Sequence, residues 1–227
     1  MSSLELHTDW REASEPEGRA RYVARDLAEV RALDVLGAIG LLILFAPVML
    51  LIALSIALTS PGPIIFKQMR IGRDGRLFEC YKFRTMAIDA EERLQHLLAT
   101  DPDARREWAL AQKLRNDPRI VGIGNFLRKS SLDELPQLWN ILRGDMSLVG
   151  PRPIVRDETE RYGKYIVFYC AVKPGLTGLW QVSGRNDTTY RRRVAYDVIY
   201  ARKGTFWDNV KILFMTVPSV MMSRGTY

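Results

Sequence analysis

The chain is poor in the residues that build disulfide frameworks and zinc sites. Its 227 residues include two cysteines, Cys80 and Cys170, far apart and without CxxC spacing, and two histidines, His7 and His96, isolated from them and from each other. Neither a disulfide framework nor a zinc site is supported, and both histidines are read as ordinary surface or packing residues. A Walker loop, a dinucleotide glycine fingerprint, internal repeats and low-complexity runs are all missing, so the common nucleotide folds are not indicated. No helix-turn-helix or basic-aromatic signature is present, which argues against a nucleic-acid partner. Acid is in deficit: 26 Asp and Glu stand against 33 Lys and Arg, for a net charge of +7 and a pI near 9.5. That balance suits an anionic partner, whether nucleic acid, a membrane surface or a phosphorylated substrate. With 47% hydrophobic residues, the chain is long enough for one substantial domain and a small appendage.

Charge is also absent from one long stretch, Val35 to Thr59, VLGAIGLLILFAPVMLLIALSIALT. Twenty-five helical residues reach about 37 Å against a hydrocarbon core of about 30 Å, so this is a membrane segment. It starts too late and runs too long for the apolar region of a signal peptide. Pro47 at its midpoint removes a backbone donor and favours a kink. Arg19, Arg21, Arg25 and Arg31 precede the segment, and Lys67, Arg70, Arg73 and Arg76 follow it. The positive-inside rule draws both flanks to the same face, which favours a re-entrant hairpin of two half-helices. A single span with a proline kink is the alternative, and the physics of the segment leaves both open.

Residues 1–28 form a polar tail, 29–60 the membrane helix and 61–227 a catalytic-sized domain. Asp74-Gly75 between two β-prone runs predicts a hairpin. A helical pattern runs from Asp89 to about Leu114, broken at Asp101-Pro102, and NDPRIVGIGNFLRK reads as a loop entering a short helix. Further helices are expected over Ser131 to about Arg143, Asp157 to Val172, Thr188 to Lys203 and Phe206 to Ser223, with KPGLTGLWQVSGRN as loop or short strand. In the last helix Phe206, Trp207, Val210, Leu213, Phe214 and Val217 recur at helical spacing. Such a stripe serves either a core or a membrane interface with Trp207 at headgroup level.

Asp133 and Glu134 lie at the expected start of the Ser131 helix. Ser131 and Glu134 have capping-box spacing, and acids in a first turn favour the helix dipole, so Glu134 alone is explained without chemistry. Their company points further: Arg128 and Lys129 just before, Arg143, Asp145 and Arg152 in RGDMSLVGPRP, and Arg185 in SGRND. Flat guanidinium forks match phosphate, and the glycines permit close backbone approach, which together suggest a polyphosphate site. Structural ion pairs or contacts to lipid headgroups are the competing account.

These residues resemble a known family, the bacterial sugar transferases, also called monotopic phosphoglycosyl transferases or polyprenyl-phosphate hexose-1-phosphate transferases. The matching blocks are the apolar segment with Pro47, CYKFRTM at Cys80 to Met86, LRKSSLDELPQLWNILRGDMSLVGPRP at Leu127 to Pro153, and KPGLTGLWQVSGRND at Lys173 to Asp187. The resemblance runs from about Arg31 to Tyr227 and is nearest to the small exopolysaccharide enzymes that use UDP-galactose. It implies an α+β enzyme with a re-entrant membrane helix, a mainly helical catalytic domain with a small β-hairpin, and interfacial amphipathic helices on the cytoplasmic face of the inner membrane. The implied partners are a UDP-sugar, undecaprenyl phosphate and membrane lipids, with Mg²⁺ as cofactor; a homo-oligomer is compatible with the chain but has no motif behind it. By the family pattern Asp133 is the nucleophile and Glu134 its partner, the two also holding the metal. Arg152 and Arg185 are expected at the nucleotide diphosphate and Arg128 at the lipid phosphate or nucleotide, with Lys82, Arg84 and Thr85 as further substrate-site residues. The family usually breaks its membrane helix at Ser-Pro, whereas this chain has Ala46-Pro47. A non-catalytic lipid-binding scaffold and a transferase with direct, single displacement are the rival functions.

Overall fold

The computed structural model describes residues 28–111, 114, 117–183 and 188–221. The expected polar tail, all but its last residue, and Arg185 therefore lie outside the described residues. The fold is α+β and helix-dominant, with two small sheets and one long apolar helix at the start.

That helix, α1 (Ala28–Thr59), runs through Pro47 as a single element, so the expected division into two half-helices at Pro47 is not confirmed. A proline removes one backbone bond, and a long apolar helix tolerates the loss. Both ends of α1 dock on the rest of the chain. Near the start, Arg31 donates to the carbonyls of Ile141 and Leu142 at 2.6 and 2.7 Å, and the buried Asp34 accepts from Ser147 Oγ at 2.9 Å and Leu148 N at 2.8 Å. Ala38, one turn on, is fully buried in the main core. Near the far end, Ile52 and Ile56 pack with Phe83 and Leu127 in a separate cluster. Between these docking sites Ile43, Leu44, Leu50 and Leu51 are exposed, as a lipid-facing surface requires.

The expected hairpin is present: β1 (Ile65–Ile71) pairs antiparallel with β2 (Leu77–Phe83), Ile71 opposite Leu77 and Ile65 opposite Phe83. Asp74 and Gly75 both adopt positive φ, 58° and 68°, which is why this pair turns the chain. The predicted break at Asp101 also appears, between α2 (Ala90–Thr100) and α3 (Pro102–Ala111), with Asp101 Oδ1 accepting from the backbone of Asp103 and Ala104.

Two expectations are corrected, and a third, the loop or short strand expected over KPGLTGLWQVSGRN, is met by a short strand. The helix predicted from Ser131 begins instead at Gln137: Ser131 terminates α4 (Gly124–Ser130) in the left-handed conformation, φ 59°, followed by a 3₁₀ turn, Leu132–Glu134, and then α5 (Gln137–Arg143). No capping box forms, because a left-handed Ser131 ends one helix rather than opening the next. The long helix expected over 157–172 is broken into 3₁₀ turns and two short helices, α6 (Thr159–Tyr162) and α7 (Ile166–Cys170), with Gly163 at φ 49° between them. The glycine-rich KPGLTG holds a strand, β4 (Gly175–Thr177), parallel to β3 (Ser147–Val149), and is followed by α8 (Leu179–Ser183).

The last two helices, α9 (Tyr190–Lys203) and α10 (Phe206–Met221), cover the core. Of the stripe expected on α10, Leu213 packs on the core and Trp207, Phe214 and Val217 are exposed, Trp207 by 75%, while the buried positions of this helix are Asn209 and Ile212, outside the stripe. The main core therefore contains parts of α1, β2, α5, β3, α9 and α10, with Leu138, Ile141, Met146 and Leu148 at its centre.

Candidate active site

Alternation along the hairpin puts Gln68, Arg70, Cys80 and Lys82 on one face, and three of these four line a small open cleft. Glu134, Gln137, Arg152, Pro153, Gly175, Leu176 and Gln181 complete the lining. Asn140 fixes the hairpin against α5, its Oδ1 accepting from Tyr81 N at 3.0 Å and its Nδ2 donating to Glu79 O at 2.7 Å. The 3₁₀ turn then presents Asp133 and Glu134 beside β2.

The two acids have different surroundings. Glu134 Oε1 accepts from Lys82 Nζ at 2.7 Å and lies 3.3 Å from Arg152 Nη2, with the Glu134 side chain only 16% exposed. Burial works to raise its pKa, but the charges of Lys82 and Arg152 outweigh burial and hold it near 2. Asp133 has no described cation within ion-pair distance. Burial first, and then the negative charge of Glu134, push it up to about 6, against the opposing pull of Lys82, Arg152 and Arg128. At neutral pH Glu134 is therefore a fixed anion inside a cationic frame, and Asp133 is a partly desolvated carboxylate with a free front.

Of the expected site residues, Lys82, Glu134 and Arg152 meet directly and Asp133 adjoins them. Arg128 is exposed in the last turn of α4, close enough for its charge to act on Asp133. Arg84 points elsewhere: its buried guanidinium donates to Ser60 O at 2.7 Å and Pro61 O at 2.5 Å, fastening the end of β2 to the chain leaving α1. The Thr85 carbonyl accepts from Val121 N at 3.1 Å, and Thr85 does not line the cavity. Arg70, Gln137 and Gln181 were not singled out from the sequence as site residues. For Arg70 the signal was available in the alternation of the hairpin, which places it on the same face as Lys82.

Hard carboxylate oxygens from Asp133 and Glu134 are the donor type that suits Mg²⁺ when substrate phosphates supply the remaining ligands. Both contacts to Glu134 use Oε1, leaving Oε2 outside them. The described residues contain no group of three or more His, Cys, Asp or Glu gathered for a metal.

A second carboxylate with a raised pKa lies behind the site. Asp197 of α9 is buried and accepts from Tyr162 Oη at 2.7 Å, and burial lifts it to about 7. Tyr162 packs edge-on against Tyr169 and Tyr190.

Comparison with known proteins agrees with this geometry. The model of the bacterial sugar transferase family matches residues 26–223. An undecaprenyl-phosphate galactose phosphotransferase of Salmonella typhimurium is 51% identical over 197 residues, covering 87% of this chain and 41% of that protein. The exopolysaccharide production protein ExoY of Rhizobium meliloti is 49% identical, with 87% of each chain covered. A UDP-glucose:undecaprenyl-phosphate glucose-1-phosphate transferase of Caulobacter vibrioides is 43% identical over 220 residues, 93% of this chain and 76% of that one. The chain thus spans about two fifths of the Salmonella relative and most of the Rhizobium one. With nearly its whole length matched and the acidic turn, hairpin lysine and loop arginine brought together, the chain belongs to the bacterial sugar transferase family.

Proposed function

We propose that this chain transfers a hexose 1-phosphate from a UDP-sugar to undecaprenyl phosphate, giving undecaprenyl-diphosphate-sugar and UMP, as the first membrane step of exopolysaccharide synthesis. The observation that carries the reading is the unequal pair: Glu134 bound by Lys82 and Arg152, and Asp133 beside it without a cation in contact. UDP-galactose is the first candidate donor and UDP-glucose the second, following the names of the Salmonella and Caulobacter relatives.

In the first step an Asp133 carboxylate oxygen bonds to the sugar-linked phosphorus, the bond from that phosphorus to the bridging oxygen breaks, and its electron pair leaves with UMP. In the second an oxygen of the lipid phosphate bonds to the same phosphorus, and the Asp133 carboxylate departs with the electron pair of the acyl-phosphate bond. A carboxyl that titrates near 6 is ionised at neutral pH without a separate base, and it is more basic, hence more nucleophilic, than an ordinary aspartate. Lys82 and Arg152 keep Glu134 charged and supply positive charge where the diphosphate gathers negative charge. Asp133 and Glu134 would hold Mg²⁺, which when bound neutralises phosphate charge beside the two acids.

The membrane segment is proposed to be re-entrant. Support comes from its two docking sites: Arg31, Asp34 and Ala38 at one end and Ile52 and Ile56 at the other pack on the same catalytic domain, which a crossing helix would have to serve from opposite faces. The exposed Trp207, Phe214 and Val217 of α10 supply an interfacial face on that domain. The domain is placed on the cytoplasmic face of the inner membrane, where UDP-sugars are made.

The test is UMP release by membranes containing the full chain with Mg²⁺, undecaprenyl phosphate and a panel of UDP-sugars. Release with galactose ahead of glucose is expected, and no release with any sugar rejects the reaction. Withholding the acceptor lipid should trap one labelled sugar-phosphate on Asp133; an unlabelled protein that still turns over would point to direct displacement.

A further inference from the structure

Arg152 stands between Pro151 and Pro153, two residues that fix their own φ but donate no backbone hydrogen bond. The position of this loop therefore depends on groups that reach it from elsewhere. Gly175 N donates to Pro151 O at 2.8 Å, and Ile71 N donates to Ile154 O at 3.0 Å. Ile154 N donates to Tyr169 Oη at 3.2 Å, and a further set of contacts comes from one ion pair. Arg70 Nη1 donates to Pro153 O at 3.0 Å and lies 3.6 Å from Glu158 Oε2, and that same Oε2 accepts from Val155 N at 3.0 Å. Tyr190 Oη approaches the other Glu158 oxygen at 3.5 Å. Arg70 and Glu158 thus contribute to holding the loop on the C-terminal side of Arg152, while the Arg152 side chain pairs with Glu134 and remains 45% exposed.

We infer that Arg70, with Glu158 as its counter-ion, is a positioning residue that acts through Arg152, setting this loop so that the Arg152 guanidinium meets the substrate diphosphate. Arg70, paired with Glu158, and Arg152, paired with Glu134, both line the cavity. Burial and the neighbouring Arg152 both lower the Arg70 pKa, which agrees with two guanidinium groups held close together. Arg70 also donates to Gln68 Oε1 at 2.6 Å, which fixes its plane.

The inference rests on the proposed sugar-phosphate transfer and is tested by a double-mutant cycle in the full chain. Arg70→Lys keeps the charge but loses the planar fork, and Glu158→Gln removes the counter-ion while keeping the shape. Each should raise KM for the UDP-sugar by about tenfold and change kcat by less than about threefold. Arg152→Ala should cost more than either, and adding Arg70→Lys or Glu158→Gln to it should cause no further loss. A KM left unchanged by both single variants, or losses that multiply in the Arg152→Ala background, overturns the inference. If the wild-type chain releases no UMP from any UDP-sugar, the reaction reading fails on its own, and equilibrium binding of labelled UDP carries the same cycle. A tenfold weakening by Arg70→Lys or Glu158→Gln seen only when Arg152 is present supports the inference, and an equal weakening in its absence overturns it.

Discussion

Two carboxylates in this molecule titrate well above the ordinary aspartate range, Asp133 near 6 and Asp197 near 7, and burial is the first cause in each. What surrounds them differs. Asp197 lies in a cluster of tyrosines, hydrogen-bonded by Tyr162 and closed to solvent. Asp133 lies on a tight turn next to Glu134, which lines the cavity and whose charge is held by Lys82 and Arg152, and among the described residues no ion pair forms to its own carboxylate. A raised pKa alone does not separate a reacting group from a buried structural one. Access, and an adjoining anion site, do.

The largest separation of the two should come from paired asparagine variants. Asp133→Asn is expected to reduce UMP release by at least about 10³-fold and to abolish the labelled protein intermediate, with the thermal midpoint in detergent unchanged within about 2 °C. Substantial turnover by this variant would remove Asp133 from the reaction. Lys82→Met should come next, lowering kcat/KM by about 10- to 100-fold because Glu134 loses its closest partner and the site loses a positive charge. An unchanged kcat/KM would show that Arg152 alone is sufficient for Glu134.

A pH profile sharpens the comparison further. Asp133 is protonated below about pH 6, so kcat/KM for the UDP-sugar should fall about tenfold per unit on the acid side of that value and level off above it. A profile flat from pH 5 to 8 would contradict the nucleophile assignment. The smallest effect on activity is expected from Asp197→Asn, within about twofold of wild type, and its signature is in stability. Unfolded, Asp197 titrates near 3.9, whereas folded it titrates near 7. Between those values the unfolded chain has lost a proton that the folded chain keeps, so stability is greatest below about pH 4, declines as pH rises to about 7, and is flat above. The decline in this group's contribution is on the order of 4 kcal/mol. Thermal midpoints measured across this range should slope downward for wild type and lose that slope in Asp197→Asn; parallel slopes would mean another group is responsible.

Features coded by adjacent residues were legible in the sequence. The Asp74-Gly75 turn and the Asp101-Pro102 break are each set by two neighbouring residues, and both appear where expected. The start of the helix after Ser131 was not legible, because S-x-x-E is compatible with a cap and with the actual left-handed exit of α4, and only the packing of α4 decides between them. The β3 and β4 pair was hidden for a different reason. Its strands are three residues long and 28 positions apart, and Gly150 and Gly175 approach so closely that a side chain at either would collide with the other's backbone. At the site, the sequence brought forward Asp133, Glu134, Lys82 and Arg152, which do gather. It could not separate Arg84 from them, since a basic residue two positions along the same strand differs only in what lies beneath it, here the carbonyls of Ser60 and Pro61.

The docking of α1 also bears on the order in which the protein is made. Arg31, Asp34, Ala38, Ile52 and Ile56 leave the ribosome well before the strands and helices they pack against. The long apolar helix is therefore synthesised first, and the later chain closes around its two ends to complete both hydrophobic clusters.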